Sequence, residues 1–152
     1  MDVLASLSGI FRDSFANVVE LLDDLFVRAA QADEPPEMNY IRKHYVFGVD
    51  IHPAATIAGG VMIDHATGVV IGETSDIEKD VSIFQGVTLG GKGFESGKRH
   101  PNIKQGATIF AASTVLGNIT VGKNSIVAAG SLVLHNVDDN KTVAGVPAKE
   151  TN

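Results

Sequence analysis

An aspartate and a histidine stand side by side at Asp64 and His65, in the stretch MIDHATGVVIGET. A neutral imidazole, with an ordinary pKa of ~6.5, can take a proton from a hydroxyl at neutral pH, and a carboxylate beside it can orient the ring. The alternative is surface decoration. A second concentration of reactive groups lies at KGFESGKRHP, residues 92–101, where Lys92, Lys98, Arg99 and His100 collect. The chain has no cysteine, which removes thiolate and disulfide chemistry. Metal chemistry is not expected either, because the near-paired HxxxxH that a histidine-built site would need is absent. His44, His52 and His135 read as structural, with DIHP forming a corner.

The elements that must hold these groups fall into two regions. From Leu4 to about Ala30, apolar residues recur at Leu4, Phe11, Val18 and Leu25, and again at Phe15, Leu22 and Ala29. That spacing predicts an amphipathic helix, ended by Pro35 and Pro36. It serves either packing within the domain or an oligomer contact. From Ile51 onward the period is six. Ile51, Ile57, Ile63 and Val69 form one phase, and Ile71, Ile77, Ile83 and Leu89 a second, shifted by two just after Val69. Ile103, Ile109, Val115, Val121, Val127 and Val133 complete the series. Hexapeptide repeats of this kind stack into a β-helix, three repeats to a coil, with the aliphatic of each repeat pointing inward. The interval from Leu89 to Ile103 is eight residues too long for one repeat, so 92–101 must project as a loop.

Charge supports this division. The net charge of −6 argues against general nucleic-acid binding. The balance is −5 over residues 1–50, −4 over 51–91 and +3 over 92–152, so a positive region begins with the loop. There is no apolar run long enough to span a membrane, and MDVLASLSGIFRDSF lacks the basic start and cleavage site of a secretory signal. A cytoplasmic protein is expected.

Taken in order, DIHP, DHATG, GET, TLGG, RHP and AGVPA, spread over about Val49 to Ala148, resemble the serine acetyltransferases, within the hexapeptide-repeat acyltransferases. The resemblance implies a left-handed parallel β-helix over 49–148; the helical spacing makes 1–48 a helical segment and linker before it, and 149–152 is a short tail. It implies a trimer with active sites between subunits, and acetyl transfer from acetyl-CoA to the hydroxyl of L-serine. By position, His65 matches the general base and Asp50 the carboxylate that orients it. Asp64 and Arg99 match serine-binding residues, for the ammonium and the carboxylate respectively. His100 matches the histidine that closes the site, and Gly91, Ala111 and Ala129 match positions whose backbone lies along acetyl-CoA.

Asp64 and His65 are adjacent, and neighbours in a strand face opposite ways, so Asp64 is a poor partner for His65 unless a corner intervenes. Asp50, fifteen residues upstream, can approach His65 from an adjacent coil. About 48 residues precede DIHP and do not match the family's larger helical domain. The acidic serine contact of that domain is therefore unassigned, and a trimer is expected in place of a hexamer, unless the N-terminal helix builds a higher assembly. AKETN lacks the isoleucine-ended tail that enters O-acetylserine sulfhydrylase, so no stable complex with that enzyme is expected. Phe110 stands where the family tends to have glycine, either narrowing the cofactor path or filling a trimer contact. Two other readings stay open: an acetyltransferase for a sugar or homoserine hydroxyl, and a non-catalytic β-helix that binds or assembles.

Overall fold

The computed structural model describes residues 48–93 and 96–151. The helix expected over Leu4 to Ala30 lies outside them. Within them the chain is a β-helix of short strands that run around three flat faces. The first face carries β1 (Asp50–Ile51), β4 (Val70–Ile71), β7 (Thr88–Gly90), β10 (Thr114–Leu116) and β13 (Leu132–Val133). The second carries β2 (Thr56–Ile57), β5 (Asp76–Ile77), β8 (Asn102–Ile103) and β11 (Thr120–Val121). The third carries β3 (Met62–Asp64), β6 (Ser82–Phe84), β9 (Thr108–Ile109), β12 (Ile126–Val127), β14 (Thr142–Gly145) and β15 (Ala148–Glu150). Every pairing between these strands is parallel except β14 with β15, which ends the stack. Among the described residues no helix is long and apolar enough to cross a membrane.

The repeat works because two positions of each hexad face inward. The predicted aliphatics stack in columns through the strand register: Ile71 on Leu89 on Val115 on Val133, and Ile83 on Ile109 on Val127. From Ile71 to Val127 these side chains are almost wholly buried, each contributing on the order of 1.5–3 kcal/mol of burial. Two residues before each of them sits a second inward residue, small or branched: Val69, Ser75, Val81, Val87, Ala107, Ser113, Ser125 and Ser131 are all buried. Two of these serines give their hydroxyl to a carbonyl, Ser113 Oγ to Ala128 O at 2.9 Å and Ser125 Oγ to Gly122 O at 2.6 Å, whereas Ser131 Oγ accepts from Gly145 N at 3.3 Å and Ser75 Oγ has no partner among the described residues.

This second series corrects the expected phase. Val69 is buried, but in the column of Val87, Ser113 and Ser131, so it is not the next member of the main hexad series that runs through Ile51, Ile57 and Ile63. The register also shows where the two extra residues are. Ile51 pairs with Ile71, twenty residues on, whereas Ile71 pairs with Leu89, eighteen on. Asp64 pairs with Phe84 at the end of the third face. Just beyond, Gly86 N donates to Thr67 O at 2.9 Å, and Ala112 N donates to Gln85 O at 2.9 Å in the following coil. Thr67 therefore stands level with Gln85. The chain passes from Phe84 to Gln85 directly, but from Asp64 to Thr67 through His65 and Ala66. The slip lies before Val69, not after it, and the inserted residues are His65 and Ala66 themselves.

The third coil is longer. Ile77 pairs with Ile103, twenty-six residues on, and the excess is the 92–101 loop. Its outgoing limb is exposed at Lys92 and Gly93. Its returning limb folds back onto the wall, where His100 and Pro101 are buried.

Candidate active site

The residues of interest gather along two edges of the β-helix. At the edge between the third and first faces, the inserted pair bulges outward. His65 and Ala66 both take positive φ, 58° and 49°, a backbone region that non-glycine residues seldom occupy; single residues such as Asp80, Asn124 and Asn140 also adopt it at other corners, and here two consecutive residues do. Thr67 N closes the bulge on His65 O at 2.5 Å. The insertion turns His65 back toward its neighbour: its Nε2 lies 3.8 Å from Asp64 Oδ2. The exception allowed to strand alternation applies here. A corner intervenes between them. His65 remains 70% exposed and Asp64 35%, so the pair is presented to solvent and not packed into the core.

Asp50 lies in β1, opposite Val70, and its backbone N donates to Val69 O at 2.8 Å. It is thus fastened to the downstream arm of the DHATG corner, on the first face. The same edge carries Ala111 and Ala129. Ala111 O accepts from Gly130 N at 2.9 Å, which keeps Ala129 in step with Ala111, and both stand in the column of Thr67 and Gln85. Gly68, Gly86, Ala112 and Gly130 follow them, all with positive φ. A Cβ on Gly86 would lie 3.5 Å from Ala112 Cα, so the left-handed corners nest with little spare room. Beneath the bulge, Phe84 and Phe110 stack at 5.0 Å between centroids and 21° between planes, leaving Phe110 38% exposed.

At the edge between the first and second faces, Gly91, Arg99 and His100 come together. A Cβ on Gly91 would lie 3.3 Å from both Arg99 Cγ and His100 Nε2. A Cβ on Gly72 would fall 2.1 Å from the same nitrogen, so only glycine lets the ring occupy this place. His100 is 7% exposed. Burial first, and the Arg99 charge second, hold its pKa below the ordinary 6.5, with Glu73 pulling in the other direction.

Sequence reasoning overlooked the residues that secure this limb. GET was visible as a motif, but Glu73 and Thr74 had no assigned role. Glu73 forms an ion pair with Arg99, whose guanidinium, through a hydrogen bond and then its charge, holds the Glu73 carboxyl below its ordinary pKa. Thr74 Oγ1 accepts from Arg99 N at 3.0 Å and His100 N at 3.1 Å, and Thr74 O accepts from Lys98 Nζ. Thr74 N donates to His100 Nδ1 at 3.1 Å. The available signal was a threonine beside a glutamate at a corner, twenty-five residues before the loop's own cations, and spacing alone does not join them. Of the other cations, Lys104 pairs with Glu78 at 2.8 Å on the second face. His52 Nδ1 accepts from Ala54 N at 3.2 Å, making the turn of DIHP.

A model of the CobN/magnesium chelatase family matches residues 1–52, a third of the chain and almost wholly outside the described residues. The β-helical part has other relatives. The chain is 60% identical over 103 residues to the serine acetyltransferase of Haemophilus influenzae, an alignment spanning 68% of this chain and 39% of that protein. It is 61% identical over 104 residues to serine acetyltransferase 4 of Arabidopsis thaliana, spanning 68% of this chain and 29% of that one. The chain thus spans well under half the length of these relatives. Among solved structures, the soybean serine acetyltransferase apoenzyme superposes with a TM-score of 0.75 at 46% identity, covering 84% of this chain and 53% of its own. A serine acetyltransferase in complex with CoA superposes with a TM-score of 0.71 at 52% identity, covering 75% and 47%. By sequence and by fold together, the β-helical portion of this chain belongs to the serine acetyltransferase family.

Proposed function

We propose that the protein transfers the acetyl group of acetyl-CoA to the hydroxyl of L-serine, giving O-acetylserine and CoA. The observation that carries this reading is His65 raised on its own two-residue insertion beside Asp64, in a β-helix 60% identical to a serine acetyltransferase. In this reading His65 removes the hydroxyl proton as the serine oxygen attacks the thioester carbonyl. The carbon–sulfur bond then breaks and the CoA sulfur leaves, to be protonated. A base so placed is worth on the order of 10²–10⁴ in rate. Asp50 orients the ring, Asp64 receives the serine ammonium, and Arg99 takes the carboxylate with its fork of donors. His100 closes the site over serine, and acetyl-CoA runs along the backbone at Gly91, Ala111 and Ala129.

The two edges support a second part of the proposal. His65, Ala111 and Ala129 lie on one edge, while Gly91, Arg99 and His100 lie on another, with the first face between them. A trimer in which one chain's first edge meets the next chain's loop edge gives each site both sets, and the exposed Phe110 and Met62 of the third face fit a contact of this kind. We assign a left-handed winding to the β-helix on its resemblance to the family. Two water-soluble metabolites as substrates suit a cytoplasmic enzyme.

The test is release of free thiol from acetyl-CoA on addition of L-serine. His65→Ala should reduce the rate by about 10²-fold or more. If serine releases no more thiol than buffer while a sugar or homoserine does, the acceptor is assigned wrongly. If no acceptor releases thiol and acetyl-CoA does not bind, the reading as an enzyme falls.

A further inference from the structure

We propose that Thr74 is a positioning residue that fixes His100 as an Nε2–H donor and sets the pose of Arg99 at the same time. The proposal rests on the serine acetyltransferase reading and extends it to a residue outside the substrate contacts. Three groups of Thr74 meet three consecutive residues of the loop. Its carbonyl accepts from Lys98 Nζ. Its hydroxyl oxygen accepts the backbone N–H of Arg99 at 3.0 Å and of His100 at 3.1 Å. Its own N–H donates to His100 Nδ1 at 3.1 Å.

These partners leave one consistent arrangement of protons. A hydroxyl offers one donor and two acceptor lone pairs. Both lone pairs of Thr74 Oγ1 are taken by backbone N–H groups, so its proton is left to point at Nδ1, 2.9 Å away. Nδ1 then faces two donors, the Thr74 N–H and O–H, and must itself be the acceptor. In a neutral imidazole the proton is thereby assigned to Nε2. That nitrogen lies in the space left by the missing side chains of Gly72 and Gly91, beside the Arg99 side chain. It is a donor next to a guanidinium, suited to the anionic end of an amino-acid substrate. The charged and titratable groups around the ring are Arg99, Lys98, Glu73 and His52. Burial and the excess of positive neighbours favour the neutral form that this tautomer requires.

The experiment is ¹⁵N–¹H NMR of the imidazoles in the full 152-residue chain, with the His100 signals identified through His100→Gln, alongside thiol-release kinetics. The unmodified chain should show His100 as the Nε2–H tautomer, titrating below 6.5. Thr74→Val, which keeps the shape and the backbone N–H donor but loses the hydroxyl, should keep the Nε2–H tautomer, shift the Nδ1 signal through loss of one of its two donors, and raise the titration midpoint. It should also lower kcat/KM for serine by about tenfold or more, since the hydroxyl makes three hydrogen bonds and even one is worth about that factor, with KM for acetyl-CoA unchanged. Thr74→Ser should restore both readouts. An Nδ1–H tautomer in the unmodified chain overturns the proposal without recourse to any variant. So does a Thr74→Val protein with unaltered imidazole signals, or with unaltered kcat/KM for serine. If the unmodified chain releases no thiol with serine, the functional reading fails, while the imidazole signals still decide the role of Thr74.

Discussion

Protonating His100 would set a second donor at Nδ1 against the Thr74 N–H, and would add a charge beside Arg99 in a buried place. Both work against the imidazolium and keep the folded pKa below the ordinary 6.5. In the unfolded chain the ring binds its proton near 6.5. Between the two values the unfolded state holds more protons, so stability rises with pH across that interval. The contribution is complete above about 6.5 and is lost as pH falls through the folded value. Glu73 acts in the same direction lower down, because Arg99 holds its carboxyl below the ordinary 4.5. Amide protection factors at Arg99 and His100, with the intrinsic pH dependence of exchange divided out, should therefore fall on acidification in two steps, one starting below pH 6.5 and one below 4.5. Exchange in the β-helix columns, for example at Val115, should not follow the first step. If His100→Gln retained the upper step, another group would be responsible for it.

At the scale of the element, the loop and the corner are both insertions into a regular solenoid, and they differ in how the sequence reveals them. The hexad aliphatics were legible because each inward side chain recurs at a fixed spacing, and the eight-residue excess between Leu89 and Ile103 was legible for the same reason. The two-residue excess was visible but misplaced. Val69 is aliphatic and inward, so it passed for a member of the main series, although its column is that of Val87 and Ser113. The Glu73–Thr74 anchor was not legible, since it contacts the loop only after stacking brings residues twenty-five apart onto one corner. The additive character of stacked coils gives a prediction. Removing residues 92–99 restores the eighteen-residue interval from Ile77 to Ile103 and leaves Pro101 in its inward place. The shortened protein should keep its β-type circular dichroism and a cooperative thermal transition, yet release no thiol with serine. A protein that fails to fold would show that the loop limb holds the wall together, contrary to this account.

For the whole molecule, the separation of the candidate residues onto two edges has a consequence that a single chain does not display. His65 and Arg99 are held by different corners, each rigidly set by stacked coils, and the first face with Asp50 and Val70 lies between them. If the working site combines His65 of one subunit with Arg99 of the next, two inactive variants can complement each other. Closed, symmetric assembly places the same pair of edges at each interface, so the combination recurs around the ring. His65→Ala and Arg99→Ala proteins should each be nearly inactive when prepared alone. Unfolded together in equal amounts and refolded, they should recover up to about a quarter of the native rate, the share of interfaces where an intact His65 meets an intact Arg99 in random assembly. Light scattering should give three times the chain mass for the parent and for the mixture. Failure to recover activity in mixtures that have exchanged subunits would put both residues within one chain's site, and the trimer would then be an assembly without a catalytic role.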